Sequence, residues 1–389
     1  MPGEEKRWQE ALDYVASINN GSGFCGFKDW HLPNKKELRS LIDYSKETPA
    51  LPTGHPFLNV KNDDYWSSTS YENSPEKAWK VYMGVGNDGT YMKAAEFYVW
   101  PVRTHSQSPP ALLGQTGQSN CYNSSGTPVT CAGTGQDGEI KAGMAWPSPR
   151  FSVTGDCVID HLTGLMWTKN TQYATTNWQW AYVPVGLLNV YGYCGSSNWR
   201  LPNINELASV THAGQSDPVT WLRTQGFLNV NQGYYWSSTS YIHDSRTAWN
   251  LIMGFGEVAY RDGLKDRLYY VWPVTTYVGP GPPSAVTNAA GNVAIRSAKL
   301  NGTVNPNSIS TNYYFEWGTN ASYGKATGSQ SAGSGTGNVS VSANLTSLIP
   351  NTTYHFRLVA VNSSGTSLGS DMTFKTRVGL PGLLLLLGN

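Results

Sequence analysis

The sequence is short of charged residues. Asp, Glu, Lys and Arg make up 14% of its 389 residues, and the formal net charge is +1. Average soluble proteins carry about 25% charged residues. Because phosphate binding and polybasic membrane anchoring both need clustered Lys and Arg, this composition argues against nucleic acid as a partner and against such an anchor.

Long apolar runs are lacking as well. A transmembrane helix needs about 20 consecutive apolar residues, whereas the run at Leu383–Leu387 contains only five Leu. The N-terminal stretch Met1–Arg7 has no apolar segment of the kind found in signal peptides. We therefore expect no membrane span.

Motifs for catalysis and metal binding are also missing. The sequence has no Cys-x-x-Cys and no His-Glu-x-x-His, and its seven His residues are scattered. The stretch Gly84–Gly89 matches a dinucleotide fingerprint, but an aromatic strand follows it where that motif needs a helix. The stretch Gly365–Gly369 matches a nucleophile elbow but lies between two predicted strands. We expect a non-enzymatic protein with no catalytic residue, no metal and no cofactor.

The five cysteines cannot all pair within one chain. Cys121 and Cys131 flank a short turn-rich loop, and Cys157 and Cys194 bracket a predicted strand–helix unit. Disulfides are typical of exported proteins. Since the N-terminus carries no export signal, we expect that Met1 is not the start of the natural precursor.

An internal repeat is the strongest positive feature of the sequence. Short motifs recur in the same order at an offset of about 170 residues, which indicates two copies of one domain. The matching segments are 25–38 with 194–207, 57–60 with 227–230, 65–71 with 235–241, and 98–102 with 270–274.

Each copy predicts helices followed by short aromatic strands. Trp8, Ala11, Leu12 and Val15 have the 3–4 spacing of one helical face. A second helix follows Leu-Pro, where Asn34 with Glu37, and Asn203 with Glu206, have capping-box spacing. These patterns predict the α+β class for both copies.

The composition changes near the C-terminus. Only one of the 15 Trp residues lies after residue 276. Alternating runs over 284–376 are typical of a β-sandwich, with Tyr313–Trp317 as a central strand and Tyr354 as a tyrosine corner. This region resembles a fibronectin type III domain and is expected to be all-β. The predicted divisions are 1–104 for copy 1, 105–118 for a linker, 119–276 for copy 2 with a Gly-rich leader, 277–283 for a Gly/Pro linker, 284–376 for the sandwich and 377–389 for an apolar tail.

The repeat resembles the Lcl C-terminal domain family of bacterial surface proteins. The residues that carry the resemblance are Thr163–Trp167, Trp199–Asn203, Tyr235–Thr239 and Val271–Val274, with Trp30–Asn34, Tyr65–Thr69 and Trp100–Arg103 in copy 1. The resemblance implies tandem C-type-lectin-like domains and an adhesive role, with sulfated-glycan binding known for the namesake. The sequence departs from that pattern, since it has no collagen-like segment and Thr275 stands where copy 1 has Arg103.

The two copies differ at their starts. Copy 2 is preceded by Cys157–Trp167, which has no counterpart before copy 1. We therefore expect the disulfides Cys121–Cys131 and Cys157–Cys194, with Cys25 unpaired or intermolecular. Two interpretations of the missing segment stay open: the chain is truncated or its start is misassigned, or another chain supplies the strand.

Ligand contacts are expected in the loops that differ between the copies. Trp residues that occur in both copies are expected in the cores, whereas loops that mix Tyr with Arg or Lys suit stacking and contacts to anionic groups. The candidate ligand-binding residues are Tyr71, Asn87, Asp88, Tyr91 and Lys93 in copy 1, and Trp180, Tyr241, Arg246, Tyr260, Arg261, Lys265 and Arg267 in copy 2.

Together these observations predict an extracellular or cell-surface protein. The expected function is adhesion through a glycan or extracellular-matrix ligand. The alternative is a structural subunit of an extracellular filament or surface assembly, in which copy 1 is completed by a strand from another chain. The apolar tail offers such a strand, which would join chains head to tail.

Overall fold

A computed structural model describes residues 4–103, 113–279 and 281–379. The chain forms two compact units, Met1–Tyr277 and Val278–Asn389. Both copies of the repeat and the leader lie in the first unit. Within the described residues, no helix combines the length and the apolar character that a membrane crossing needs.

Copy 1 is a five-stranded sheet with two helices. The sheet order is β1-β5-β2-β3-β4. Helix α1 buries the stripe Trp8, Ala11, Leu12 and Val15 that its sequence predicts. The elements are β1 Glu5–Arg7, α1 Trp8–Asn20, α2 Lys35–Arg39, β2 Asp64–Ser70, β3 Lys77–Tyr82, β4 Asp88–Met92 and β5 Glu96–Tyr98.

The leader of copy 2 contains two small β structures and one short helix. A hairpin is closed by the Cys121–Cys131 disulfide. The elements are β6 Cys121–Tyr122, β7 Pro128–Val129, α3 Asp137–Ile140, β8 Phe151–Thr154, β9 Cys157–Asp160 and β10 Leu165–Thr168. The second disulfide, Cys157–Cys194, ties β9 to the body of copy 2, while Cys25 is exposed and unpaired.

Copy 2 repeats the sheet of copy 1. Its order, β11-β15-β12-β13-β14, matches strand for strand, and a further strand, β16, joins β10, β9 and β8 in a second sheet. The elements are β11 Ala174–Thr176, a 3-10 helix Trp178–Trp180, α4 Tyr182–Val190, a 3-10 helix Tyr193–Gly195, α5 Ile204–Ser209, α6 Pro218–Thr224, β12 Tyr234–Ser240, β13 Ala248–Ile252, β14 Glu257–Ala259, β15 Tyr269–Val271 and β16 Val274–Thr276.

The repeated Trp residues join equivalent elements in the two copies. The buried Trp66 ring donates a hydrogen bond to the Lys6 carbonyl at 2.8 Å, and the buried Trp236 ring donates to the Thr176 carbonyl at 2.9 Å. Each bond links the central strand to the strand before the first helix. These Trp residues are therefore part of the cores.

The strand missing from copy 1 does not belong to its main sheet. Strand β1 pairs with β5 as β11 pairs with β15. Within the described residues, the sheet of β16, β10, β9 and β8 has no equivalent in copy 1. The bridge between Val102 and His31 of copy 1 repeats the bridge between Val274 and Arg200 of copy 2.

The second unit is a β-sandwich. One sheet has the order β17-β18-β22, and the other has the order β20-β19-β23-β24 with β21 on β19 and β25 on β23. The Tyr354 hydroxyl accepts a hydrogen bond from the Ile349 amide at 3.0 Å, as a tyrosine corner does. The strands are β17 Ser284–Gly291, β18 Ala298–Asn305, β19 Thr311–Gly318, β20 Lys325–Ala326, β21 Gln330–Gly333, β22 Val339–Leu345, β23 Thr353–Asn362, β24 Gly365–Leu368 and β25 Met372–Lys375.

The expected α+β class is wrong. Strands make up 36% of the structure and helices 14%, so the chain is mostly β. The predicted helices exist, but α2 has only five residues, because its capped turn ends where the chain enters an irregular loop. The C-type-lectin-like class that was expected with the α+β assignment is not supported.

Candidate functional site

The two copies present equivalent polar faces. Each face combines the start of the helix after Leu-Pro, the end of the Trp-Ser-Ser-Thr-Ser strand and one Lys. The copy 1 face consists of Asn34, Lys36, Thr69, Ser70 and Lys93, and the copy 2 face consists of Asn203, Asn205, Thr239, Ser240 and Lys265.

Lys93 and Lys265 are equivalent both in the repeat, where they have the same offset as 98–102 and 270–274, and by geometry. The Lys93 carbonyl accepts from the Trp8 amide at 3.1 Å, and the Lys265 carbonyl accepts from the Trp178 amide at 3.0 Å. Each ammonium lies over the indole of the same Trp, at 3.9 Å for Lys93 and 4.0 Å for Lys265. The two side chains therefore leave their sheets at the same place.

Local hydrogen bonds fix the Asn and Thr of each face. Asn34 caps α2 by accepting from the Glu37 amide, and Asn203 caps α5 by accepting from the Glu206 amide. Thr69 Oγ1 accepts from the Lys35 amide and Thr239 Oγ1 from the Ile204 amide, each at 3.1 Å. Satisfying the helix N-terminus explains why both residues recur in the repeat.

The leader covers the copy 1 face. The Asp137 carboxylate accepts hydrogen bonds from the hydroxyls of Thr69 and Thr116, each at 2.7 Å. The Gln118 side chain pairs with the backbone of Ser70, accepting from its amide at 2.9 Å and donating to its carbonyl at 2.8 Å. Residues 113–118, which the sequence assigned to a linker, are thus packed against copy 1 and form the first part of the leader, residues 113–156.

Backbone carbonyls of the leader satisfy the rest of the copy 1 face. Asn34 donates to the Ala142 carbonyl at 3.1 Å, and Lys36 donates to the Gln115 carbonyl at 2.9 Å. Lys93 donates to the Asn123 carbonyl at 3.2 Å.

This cover changes the titration of the groups beneath it. Burial raises the pKa of Asp137 to about 6, against the lowering effect of its two Thr donors. Burial lowers the pKa of Lys36 to about 7, and the positive charge of Arg150 lowers it further. Burial also lowers the pKa of Lys93 to about 7. Both lysines therefore lose their protons more readily than in the unfolded chain.

The copy 2 face is open. Ser70 is fully buried, whereas its counterpart Ser240 is exposed, as are Asn203 and Asn205. A cleft of about 490 Å³ lies on this face; its lining residues are Asp43, Tyr44, Ser45, Asn203, Ile204, Asn205, Thr239, Ser240 and Ile242.

The cleft of copy 2 corresponds in position to the surface of copy 1 on which the leader packs. Its far wall is Asp43, Tyr44 and Ser45 of copy 1, which match residues 212–214 of copy 2 in the repeat. On the covered side, the leader passes along those copy 2 residues, because the Ala213 amide donates to the Thr116 carbonyl at 2.9 Å. The cleft is therefore the place that a second leader would occupy on copy 2.

A buried charged cluster joins the copies next to the cleft. Asp88 is completely buried, lies 3.4 Å from the Lys35 ammonium, and accepts from the Val258 amide of copy 2 at 2.6 Å. Burial and the neighbouring Asp88 raise the pKa of Glu257 to about 7. Asp88, expected from the sequence in a ligand-binding loop, therefore acts in the contact between the copies.

The other candidates from copy 1 do not gather in one place. Lys93 is buried beneath the leader. Tyr71 packs on Trp79, and Tyr91, which is exposed, packs on Phe97. Asn87 is half-buried, and its carbonyl accepts from the Tyr82 amide.

The candidates from copy 2 fall into separate groups. Tyr241 stacks on Tyr260 with ring centroids 4.3 Å apart. Arg246 is exposed and pairs with Asp244 at 3.0 Å, and Arg267 is exposed. Arg261 is exposed, and its pKa is raised mainly by a hydrogen bond with Tyr260 and less by the charge of Asp64 in copy 1.

Lys265 is the candidate that belongs to the copy 2 face, and Trp180 is 59% exposed in the 3-10 helix that begins at Trp178. Sequence reasoning missed Asn203, Thr239 and Ser240, because it expected ligand contacts in the loops that differ between the copies, whereas these three residue types recur in both.

Comparisons with known proteins place the repeat in a family. The model of the Lcl C-terminal domain matches residues 2–103 and 156–275, which is more than half of the chain. No curated protein matches the chain in sequence.

Solved structures match about a quarter of the chain. The sensor domain of the anti-sigma factor RsgI4 of Pseudobacteroides cellulosolvens is 27% identical and covers 25% of this chain and 97% of its own, with a TM-score of 0.21. The fibronectin type III domain of human fibronectin type III domain containing protein 3 is 19% identical and covers 27% of this chain and 94% of its own, with a TM-score of 0.18. Such low TM-scores carry no functional argument, whereas both copies of the repeat match one family model: this chain belongs to the family of the Lcl C-terminal domain.

Proposed function

We propose that this chain is an exported, non-enzymatic protein of the bacterial surface that acts in adhesion. Its ligand, a glycan or an extracellular-matrix component, binds at the copy 2 face. Membership of the Lcl C-terminal domain family supports this proposal. Two disulfides in a β-rich chain are compatible with an extracellular location.

The observation that carries the proposal is the difference between the two faces. The copy 1 face needs a cover to satisfy its polar groups, and the leader provides one. The copy 2 face has the same Asn, Thr and Ser, but these residues line an open cleft. A concave surface with a few converging polar groups is the usual form of a binding site.

The surroundings of the cleft suit an extended ligand. Lys265 lies over Trp178, and Tyr182, which is 41% exposed, packs on the same Trp with ring centroids 5.2 Å apart. Aromatic rings beside a cation offer stacking and contact to anionic groups. This combination fits the sulfated or carboxylated polymers found outside cells.

Blocking the copy 2 face with a bulky side chain tests the proposal. The full chain and its Ser240→Trp variant are compared for binding to immobilised heparin and to immobilised matrix proteins. Ser240 is exposed at the cleft, so the indole fills the face without entering the core. We expect at least a tenfold loss of binding.

The matched control is Thr154→Trp. Thr154 is also exposed but lies on β8, away from the residues of the cleft. Binding that Ser240→Trp leaves intact would refute the proposal.

A second candidate function is a structural subunit of a surface assembly, in which another chain supplies to copy 1 what β9 and β10 supply to copy 2. One observation favours it: the sheet of β16, β10, β9 and β8 in copy 2 has no equivalent among the described residues of copy 1. Of the apolar tail proposed as the donor, 377–389, residues 380–389 lie outside the described residues. Sedimentation of the full chain, with and without residues 378–389, tests this candidate, and an unchanged monomer in both would remove it.

A further inference from the structure

We infer that the copy 2 face binds an extended polypeptide segment of another chain, one that presents a carboxylate and a carboxamide as the leader presents Asp137 and Gln118 to copy 1. This inference rests on the proposed function, because it takes the copy 2 face as the binding surface. It goes further by choosing a polypeptide over a glycan as the ligand.

The equivalent residues Thr69 and Thr239 indicate that the occupant of the copy 2 face carries a carboxylate. A Thr hydroxyl has one proton to donate and can accept as well. Thr69 accepts from the Lys35 amide and donates its proton to Asp137. Thr239 accepts from the Ile204 amide in the same way, and the described contacts give its proton no acceptor. An occupant with a carboxylate at this point completes the hydrogen bonding of Thr239.

The equivalent residues Ser70 and Ser240 indicate that the occupant also carries a carboxamide. Ser70 lies opposite Ala78 in the sheet of copy 1, and Ser240 lies opposite Ala248 at the same register of copy 2. Gln118 meets both the amide and the carbonyl of Ser70, as a neighbouring strand would. A side-chain carboxamide fits the backbone of Ser240 for the same reason.

Backbone carbonyls are what the remaining groups recognise, and this favours a polypeptide. On copy 1, Asn34, Lys36 and Lys93 all donate to carbonyls of the leader main chain. On copy 2, the exposed Asn203 and Asn205 carry amide donors at the positions of Asn34 and Lys36, whereas Lys265 already donates to Ser240 Oγ at 3.0 Å and to the Ser245 carbonyl at 2.8 Å. The two exposed Asn side chains therefore match carbonyls of a peptide main chain, as their counterparts do on copy 1.

Two substitutions between the copies distinguish the occupant from the leader of this chain. Glu72, which accepts from Tyr122 and Asn120 of the leader, is replaced by Ile242, which is 52% exposed. Leu12, which lies beneath the leader, is replaced by Tyr182. The occupant therefore has an apolar side chain where the leader has Tyr122.

The experiment uses the leader as a probe against the full chain. A fluorescent peptide of residues 113–145, with its Cys121–Cys131 disulfide closed and with Tyr122→Phe, is titrated by anisotropy. We expect saturable binding, at least tenfold weaker for a peptide that also carries Asp137→Asn. Ser240→Trp in the full chain should abolish binding, and Thr154→Trp should leave it unchanged.

Amide hydrogen exchange provides the second measurement. In the complex, we expect protection of the Ser240 amide, because its counterpart in copy 1 donates to Gln118. Protection confined to copy 1 residues would mean that the probe has displaced the chain's own leader, and this would overturn the inference.

Three other results would also overturn it: no saturable binding up to about 1 mM peptide, equal binding of the Asp137→Asn peptide, or full binding to Ser240→Trp. Failure of the proposed function has a different signature. If the peptide binds at the copy 2 face but Ser240→Trp leaves attachment to heparin and matrix proteins intact, the proposed function fails. If Ser240→Trp abolishes that attachment and the peptide does not bind, only the polypeptide inference fails.

Discussion

Copy 1 and copy 2 share one sheet order and one set of capping residues but differ in what surrounds them. On copy 1, the leader buries Thr69 and Ser70 almost completely, with Asp137 bonded to Thr69 and Gln118 bonded to Ser70. On copy 2, the same residue types line an open cleft. The comparison shows that a repeated motif keeps its local role while its exposure depends on a separate segment.

The largest difference in unfolding free energy between variants of the two copies should come from the matching residues Cys194 and Cys25. Replacing both Cys157 and Cys194 with Ser removes a disulfide that closes a loop of 37 residues. We expect a loss of about 4 kcal/mol in the free energy of unfolding of the first unit. Cys25→Ser, at the matching position of copy 1, should change it by less than about 0.5 kcal/mol because Cys25 is exposed and unpaired.

Urea titrations followed by Trp fluorescence measure both variants. Non-reducing peptide mapping of the wild type is the control, and it should show Cys121 joined to Cys131 and Cys157 to Cys194. A bridge from Cys25 to any of these four would contradict the pairing.

The equivalent residues Thr69 and Thr239 should give the next largest difference in unfolding free energy. Thr69→Val leaves the buried carboxylate of Asp137 without one of its two donors and the Lys35 amide without its acceptor. We expect a loss of about 2–3 kcal/mol. Thr239→Val removes only the acceptor of the Ile204 amide and should cost about 1 kcal/mol. Equal losses in urea unfolding would show that the leader does not hold copy 1 through Asp137.

The free energy of unfolding of the first unit should rise with pH because the leader covers Lys36 and Lys93. The folded pKa of Lys93 and of Lys36 is about 7, below the ordinary value of 10.5. Between pH 7 and 10 the unfolded chain therefore binds more protons, and the free energy of unfolding rises with pH. We expect a gain of about 1–2 kcal/mol for each lysine.

Lys93→Met should flatten that rise, because a neutral side chain has no proton to release. Lys265→Met is the matched control, since Lys265 lies on the open face and should leave most of the slope in place. Urea unfolding at pH 7, 8, 9 and 10, in a Cys25→Ser background that prevents thiol exchange, measures the effect. A slope that Lys93→Met does not change would contradict the burial of this ammonium.

Ligand binding should show the smallest effects for single charges. Replacing Arg261, Lys265 and Arg267 together with Ala should weaken binding of an anionic ligand and reduce its sensitivity to salt, because exposed charges are screened within roughly 8–10 Å. We expect Lys265→Ala alone to give most of the change, a few-fold in affinity, since Lys265 lies on the copy 2 face and Arg261 lies near Asp64. A titration at two salt concentrations in which Lys265→Ala matches the wild type would contradict this assignment.

Much of the architecture could be predicted from the sequence. The repeat identified two equivalent domains, because the motifs recur in the same order and the same family model matches both. The capping boxes at Asn34 and Asn203 form as predicted, since their partners lie three residues away. The class could not be predicted correctly, because the helical patterns are real but occupy short segments between many strands.

The candidate site was harder to predict. Loops rich in Tyr, Arg and Lys were chosen because they differ between the copies, and Asp88 and Lys93 proved to be buried. The polar residues shared by both copies are not among these candidates. They are structural in copy 1, and the open cleft of copy 2 places the same residue types at the surface.

The sequence by itself determined the duplication, the cysteine pairs and the helix caps, because these depend on recurring motifs, on an aligned Cys without a partner and on hydrogen bonds between residues a few positions apart. Only the tertiary structure decided which face is covered. That outcome depends on contacts between distant residues, such as Asp137 with Thr69 and Ala142 with Asn34, which are 68 and 108 positions apart. Local spacing carries no information about such contacts, and so the open face of copy 2 becomes visible only in the folded chain.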